Sequence, residues 1–143
     1  MSLFGSMEVS ASGMAAERTR AELLVENMAN AETTRTPEGG PYRRKDVVFS
    51  SQEQISPFSA VFQSEVGTGV TVSDVITDMR DPIKRYMPGH PDADSNGYVA
   101  FPNMNPAEDM VDLLNSSRSY AANVAAISSV KDMISKSIDI MRS

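Results

Sequence analysis

Cysteine and tryptophan are absent from the 143 residues, and histidine occurs once, at position 90. Without cysteine the chain can form neither a disulfide nor a thiolate metal site. With a single histidine, a Ser-His-Asp arrangement has one possible base, and His90 stands in Pro88-Gly89-His90-Pro91 with no nucleophile signature nearby. No serine occupies a Gly-x-Ser-x-Gly turn. Pro37-Glu38-Gly39-Gly40 lacks the lysine and the following helix of a phosphate loop. Basic residues are scarce: 13 Lys and Arg face 19 Asp and Glu, a net charge of -6. That balance argues against nucleic acid and anionic membrane as partners, because both require a basic face. No apolar run approaches the roughly 20 residues of a membrane span, so no membrane insertion is expected. The start, Met1-Ser2-Leu3-Phe4-Gly5-Ser6, lacks the charged region and long apolar run of a cleaved leader. These absences leave no catalytic constellation, no cofactor and no small-molecule substrate to expect, and the chain reads as a non-enzyme.

What is present is concentrated at the two ends. Residues 7–31 read as a helix, with Met7, Met14, Ala21 and Met28 recurring every seven residues and Leu24 and Ala31 beside them. Such a helix is about 38 Å long. Its other face carries Glu17, Arg18, Arg20, Glu22 and Glu26, and Glu22 and Glu26 form a like-charged pair four apart. Thr33-Thr34-Arg35-Thr36-Pro37-Glu38-Gly39-Gly40-Pro41 ends it as a loop. The last third reads as a longer helix, with Asn105 as N-cap, Pro106 at the first helical position and Glu108 where a capping-box acid belongs. Its seam is Met110, Leu113, Ser117, Tyr120, Val124, Ile127, Lys131, Ile134, Ile138 and Met141, in unbroken steps of three and four. Leu114, Ala121, Ala125 and Val130 widen it. Two helices of this size cannot cover so broad a stripe by themselves, which points to burial against other chains.

The middle is rich in Pro, Gly and polar residues. Short strands are expected over 45–49, 61–66 and 70–79, and Asn96-Gly97 reads as a tight turn into a strand at Tyr98-Val99-Ala100-Phe101. The fold class is therefore α+β: long N- and C-terminal amphipathic helices, coiled-coil-like, around a small β-rich middle segment. Asp92-Ala93-Asp94-Ser95-Asn96-Gly97 matches the first half of a calcium loop over 92–103, but the twelfth position is Asn103 instead of a bidentate Glu, and prolines flank the segment. A calcium-binding module is the alternative of a different class. His90-x-Asp92-x-Asp94 could equally be read as metal ligands or, with His90 as base, as a small hydrolase. The plainer reading is an Asp/Asn-rich turn, with no metal.

Several segments, in order along the chain, resemble the flagellar basal-body rod proteins. They are Ser12-Gly13-Met14-Ala15-Ala16-Glu17-Arg18, Val25-Glu26-Asn27-Met28-Ala29-Asn30-Ala31, Gly39-Gly40-Pro41-Tyr42-Arg43-Arg44-Lys45, Pro88 to Asp94, Asn96 to Asn103, Asp109-Met110-Val111 and Ser117 to Val124. Within the family the Pro88 to Asp94 segment is similar to the proximal-rod members; another rod or hook-type axial protein is the runner-up. Glu26 and the stretch Thr33 to Pro37 depart from the family's pattern. The resemblance implies a structural subunit that transmits torque and lines the hollow export conduit. It would work in the rod that spans the periplasm, after synthesis in the cytoplasm and export without a cleaved signal peptide. Its partners would be other rod proteins, copies of itself and the export apparatus. Residues 1–32 and 105–143 would be axial-core helices and 33–104 the middle segment. The expected subunit contacts are Met14, Ala21, Leu24 and Met28 on the first helix and Leu113, Tyr120, Val124, Ile127, Ile134 and Ile138 on the second. Asn27, Asn30 and Asn123 are read either as amides that fix register across subunits or as surface amides.

Overall fold

The computed structural model describes residues 3–51 and 69–142. Helix α1 spans Leu3–Ala29, strands β1 and β2 span Lys45–Ser51 and Val70–Thr77, β3 and β4 span Ile83–Tyr86 and Tyr98–Phe101, and helix α2 spans Pro106–Arg142. The α+β class is as expected. The first helix begins four residues earlier than its apolar period suggests and ends two residues sooner. Asn30 stops it: its Nδ2 donates to the Glu26 carbonyl at 2.9 Å, and Thr33 Oγ1 donates to its Oδ1 at 3.1 Å, so the last turn closes on side chains. The second helix starts where its cap predicts. Asn105 Oδ1 accepts from the Ala107 amide at 3.2 Å, although Glu108 receives the Asn105 side-chain amide and not its backbone N–H.

The strands form two antiparallel hairpins, β1 with β2 and β3 with β4. Lys45 pairs with Thr77 at one end of the first ladder and Ser51 with Val70 at the other. A bulge between Val48 and Phe49 leaves Ser73 over, and its hydroxyl donates to the Val48 carbonyl at 3.1 Å. The strand expected over 70–79 stops at Thr77. Strand β3 was not expected, since Ile83-Lys84-Arg85-Tyr86 is short and wholly exposed. Pairing with β4 creates it, in the register Ile83 with Phe101 and Tyr86 with Tyr98. Gly97 holds the turn at φ +80, where an added Cβ would also stand 3.0 Å from the Tyr86 ring. The strand expected over 61–66 lies outside the described residues.

Helices α1 and α2 pack antiparallel, as the pairs Gly13 with Asn123 and Glu17 with Ser116 show. The missing side chain of Gly13 lets them approach: a Cβ there would sit 3.2 Å from Asn123 Nδ2. Helix α2 has 37 residues and α1 has 27, so α2 runs past the start of α1 by about 15 Å. The buried interior is small. It holds Ala16, Leu24, Tyr42, Val99, Phe101 and Val130, together with the polar Asn27, Asp109 and Ser116. Among the described residues no helix is long and apolar enough to cross a membrane.

Candidate assembly face and its polar latch

The buried seam of the helix pair differs from the one that apolar spacing suggests. On α2 the sheltered positions include Asp109, Leu113, Ser116, Asn123, Ile127, Val130 and Ile134, again in steps consistent with three and four. Leu113, Ile127 and Ile134 belong to both seams. Met110, Ser117 and Val124 give way to Asp109, Ser116 and Asn123, so α2 is rolled by one position. Helix α1 is rolled likewise: Ala16, Leu24 and Asn27 are buried, while Met14, Ala21 and Met28 are half-buried. Polar residues win the inner places because each finds a partner there. Ser116 Oγ lies 2.9 Å from the Glu17 carbonyl oxygen and 2.7 Å from Glu17 Oε2. A buried hydroxyl so satisfied costs little, whereas an unpaired one costs about 1–3 kcal/mol.

Two hydrogen-bonded groups tie the helix pair to β1. Asn27 is fully buried; its Oδ1 accepts from Tyr42 Oη and from the Lys45 amide, both at 2.9 Å, and its Nδ2 donates to the Lys45 carbonyl at 2.8 Å. All its bonds are within the chain, so Asn27 presents no surface to a neighbour in this conformation. Asn30, half-buried, caps α1. Burial, and then the neighbouring Glu26 carboxylate, push the Tyr42 phenol up to about 12, which keeps it a proton donor to Asn27. Glu26 pairs with Lys45 Nζ at 2.7 Å and Glu22 with Arg18 at 2.9 Å, so the like-charged pair of α1 is neutralised residue by residue. The second group joins Arg44, the residue before β1, to the first turn of α2. Arg44 presents Nη2 at 2.8 Å and Nε at 2.9 Å to one oxygen, Oδ1, of the buried Asp109. Burial alone would lower the Arg44 pKa; the hydrogen bond and charge of Asp109 outweigh it, and the guanidinium is held more firmly charged.

These ties fix which way each helix faces. Ser12 accepts from the Val70 amide and Asn27 bonds Lys45, so one side of α1 faces the strands. Asp109 and Asp112 both lie near Arg44, so the same holds for α2. At about 100° per residue, Met14, Ala21 and Met28 fall on the flank of α1 turned away from the strands, and Met110, Leu114, Ala121 and Val124 on the matching flank of α2. Together they form one apolar face of the helix pair. Met110, Leu114 and Val124 are about half exposed on it, at 53%, 54% and 44%, and Val25 beside them is at 52%. Of the expected contact residues, Val124 therefore lies on this open face, with Met14, Ala21 and Met28 along its edge. Tyr120 and Ile138 are exposed at its margin, and Leu24, Leu113, Ile127 and Ile134 are turned inward. Apolar spacing alone did not single out Met110 and Leu114 as the most exposed part; the buried carboxylate next to Met110 is what rolls it outward.

The Asp-rich loop has other work. Asp94 Oδ1 accepts from the amides of Asn96 and Tyr98, at 2.8 and 2.9 Å, and those backbone bonds hold its carboxyl below the usual range. Asp92 accepts from Thr34 Oγ1 at 2.8 Å, tying this hairpin to the loop after α1. Among the described residues no three His, Asp or Glu side chains converge as metal ligands.

A helix pair with an uncovered apolar flank, carried beside strand hairpins, defines a subunit built to pack against others. Residues 95–140 match the family described as flagellar basal body rod FlgEFG protein C-terminal. Over nearly their whole lengths, the chain is also similar to proteins named flagellar basal-body rod protein FlgC. The identity is 38% with that of Borreliella burgdorferi, covering 99% of each chain. It is 41% with that of Bacillus subtilis, covering 98% of this chain and 99% of the relative, and 36% with that of Salmonella typhimurium, covering 98% of each. The chain belongs to the FlgC family of flagellar basal-body rod proteins.

Proposed function

We propose that the chain is a non-enzymatic structural subunit of the proximal rod, which transmits torque and lines the export conduit. Its working surface is the apolar flank shared by α1 and α2. One observation carries this reading: Met110, Leu114 and Val124 stay exposed on a folded helix pair whose inner seam is already occupied by the buried Asp109 and Ser116 and the half-buried Asn123. A monomer would gain by burying that flank, at about 25 cal/mol per Å² of apolar surface removed from water. Neighbouring rod subunits, including copies of this chain, supply the cover. Residues 1–32 and 105–143 form the axial-core helices and 33–104 the loop and short-strand middle segment. The chain reaches the rod through the flagellar export channel.

The test is a double substitution, Leu114→Glu with Val124→Glu, introduced into a motile cell in place of the resident chain. Both side chains are exposed, so the isolated variant keeps its helix content and melting behaviour. Expected is loss of rod incorporation and of motility. Normal incorporation of a folded double variant would overturn the assignment of this face.

A further inference from the structure

Arg44 has three acids within reach: its Nη1 donates to Asp46 Oδ2 at 3.2 Å, and the other two lie on α2. Its Nη2 lies 2.8 Å from Asp109 Oδ1 and 3.8 Å from Asp112 Oδ2, one turn further along α2, while Asp109 Oδ2 is buried without a hydrogen-bond partner. The same spacing of three recurs down the inner seam. Ser116, which meets Glu17, is followed by Ser119; Ile127 is followed by Val130, and Val130 by Met133. Asn123, beside Gly13, is followed by Ala126, which is smaller. A screw of α2 by three residues, about 4.5 Å along its axis and about 60° around it, therefore puts like in place of like. Asp112 arrives under Arg44, Ser119 meets Glu17, and Val130 and Met133 take apolar places. The losses are Leu113 giving way to Ser116 and Ile134 to Ser137.

Two features make such a slide feasible. The helix slides toward the strands, and α2 is ten residues longer than α1, so the overhang is drawn over α1 and no part of α1 is stripped. Residues 102–105 between β4 and α2 take up the displacement. Packed elements move between such discrete registers because interdigitated side chains favour whole-turn steps over gradual ones.

The outer face changes with the register. At present its places on α2 are held by Met110, Ser117, Ala121, Val124, Lys131 and Ser135. After a three-residue screw these six are replaced by Leu113, Tyr120, Val124, Ile127, Ile134 and Ile138, a stripe interrupted where Ser117 takes the place of Leu114 and Lys131 that of Ser128. We propose that α2 has two registers on α1, switched by Arg44 exchanging Asp109 for Asp112, and that the second presents the more apolar stripe to a neighbouring rod subunit. Only the use of the stripe rests on the rod reading; the register shift belongs to the chain alone.

The absence of native cysteine allows a direct test on the full chain. A Glu17→Cys, Ser116→Cys pair reports the first register and a Glu17→Cys, Ser119→Cys pair the second, with Glu17→Cys, Arg118→Cys on the far side of α2 as control. Under mild oxidation both reporter pairs close within one chain, the first faster, and the control does not. Adding Asp112→Asn slows closure of the 17–119 pair about tenfold and leaves 17–116 unchanged, as expected for losing a hydrogen bond to a charged partner. Adding Asp109→Asn raises the ratio of 17–119 to 17–116 closure by a similar factor. Asp112 is part-exposed, so its variant folds and keeps the test decisive even if Asp109→Asn does not. Closure of 17–119 no faster than the control, or unaffected by Asp112→Asn, overturns the two-register switch. That result leaves the rod reading standing, since incorporation of the Leu114, Val124 variant is measured separately.

Discussion

At the strand end of the helix pair, Asn27, Tyr42 and Asp109 are buried among partners drawn from α1, the loop after it, β1 and α2; at the other end, Phe4 and Met141 are 74% and 78% exposed. The same two helices are tied to other segments by long-range hydrogen bonds at one end, whereas toward the other the buried contact is apolar, at Val130. Polar groups do the holding because the shared seam carries few large apolar side chains, and a buried amide or ion pair has geometry where a greasy contact has only area. The lesson is that cohesion and adhesion are divided along this molecule. The strand end keeps the subunit itself together, and the exposed flank and overhang are left for others to cover.

That contrast can be broken most sharply at Arg44. Replacing it by Ala strands the Asp109 carboxylate in the interior, and the expected loss is about 3–5 kcal/mol in a urea titration. A loss below 1 kcal/mol would mean that the latch is not what holds α2 to β1. Next comes Asn27→Ala, which leaves the Lys45 amide and carbonyl and the Tyr42 hydroxyl without their buried partner; about 3 kcal/mol is expected by the same measurement. Tyr42→Phe removes one bond and is expected to cost about 1 kcal/mol at neutral pH. Alkali sharpens this case. The phenol is raised from 10.0 to about 12 in the folded chain, so its contribution is complete below pH 10 and is lost as pH rises through about 12. Phenolate absorbance followed through that window should show a late-titrating component that Tyr42→Phe lacks. At the opposite end, Met141→Ser should change stability by no more than about 0.5 kcal/mol, because the side chain is already in water. A large effect there would show that the overhang is folded against something within the chain.

Much of the architecture was legible in the residues. The three-four spacing and the Asn105-Pro106 start located α2, and the Thr33 to Pro41 stretch located the end of α1, because backbone rules act over a few positions. Strand β3 was not legible. Four exposed residues with Lys84 and Arg85 at the centre carry no apolar alternation, and only the ladder to β4 defines them. The orientation of the helices was half legible. Leu113, Ile127 and Ile134 lie on both the expected and the observed seams of α2. Asp109, Ser116 and Asn27 sit inside against any hydropathy rule, because Arg44, Glu17, Tyr42 and Lys45 meet them there from 65, 99, 15 and 18 residues away.

By itself, then, the order of amino acids determined two long amphipathic helices, a weakly apolar middle and a chemistry without thiols. Period, capping and composition are local, and each residue carries its share of them wherever the chain goes. Only the tertiary structure decided which stripe of each helix is spent inside and which is left for a neighbour. That choice depends on whether a buried polar group finds its partner, and the partners come from segments that meet only when the chain has folded.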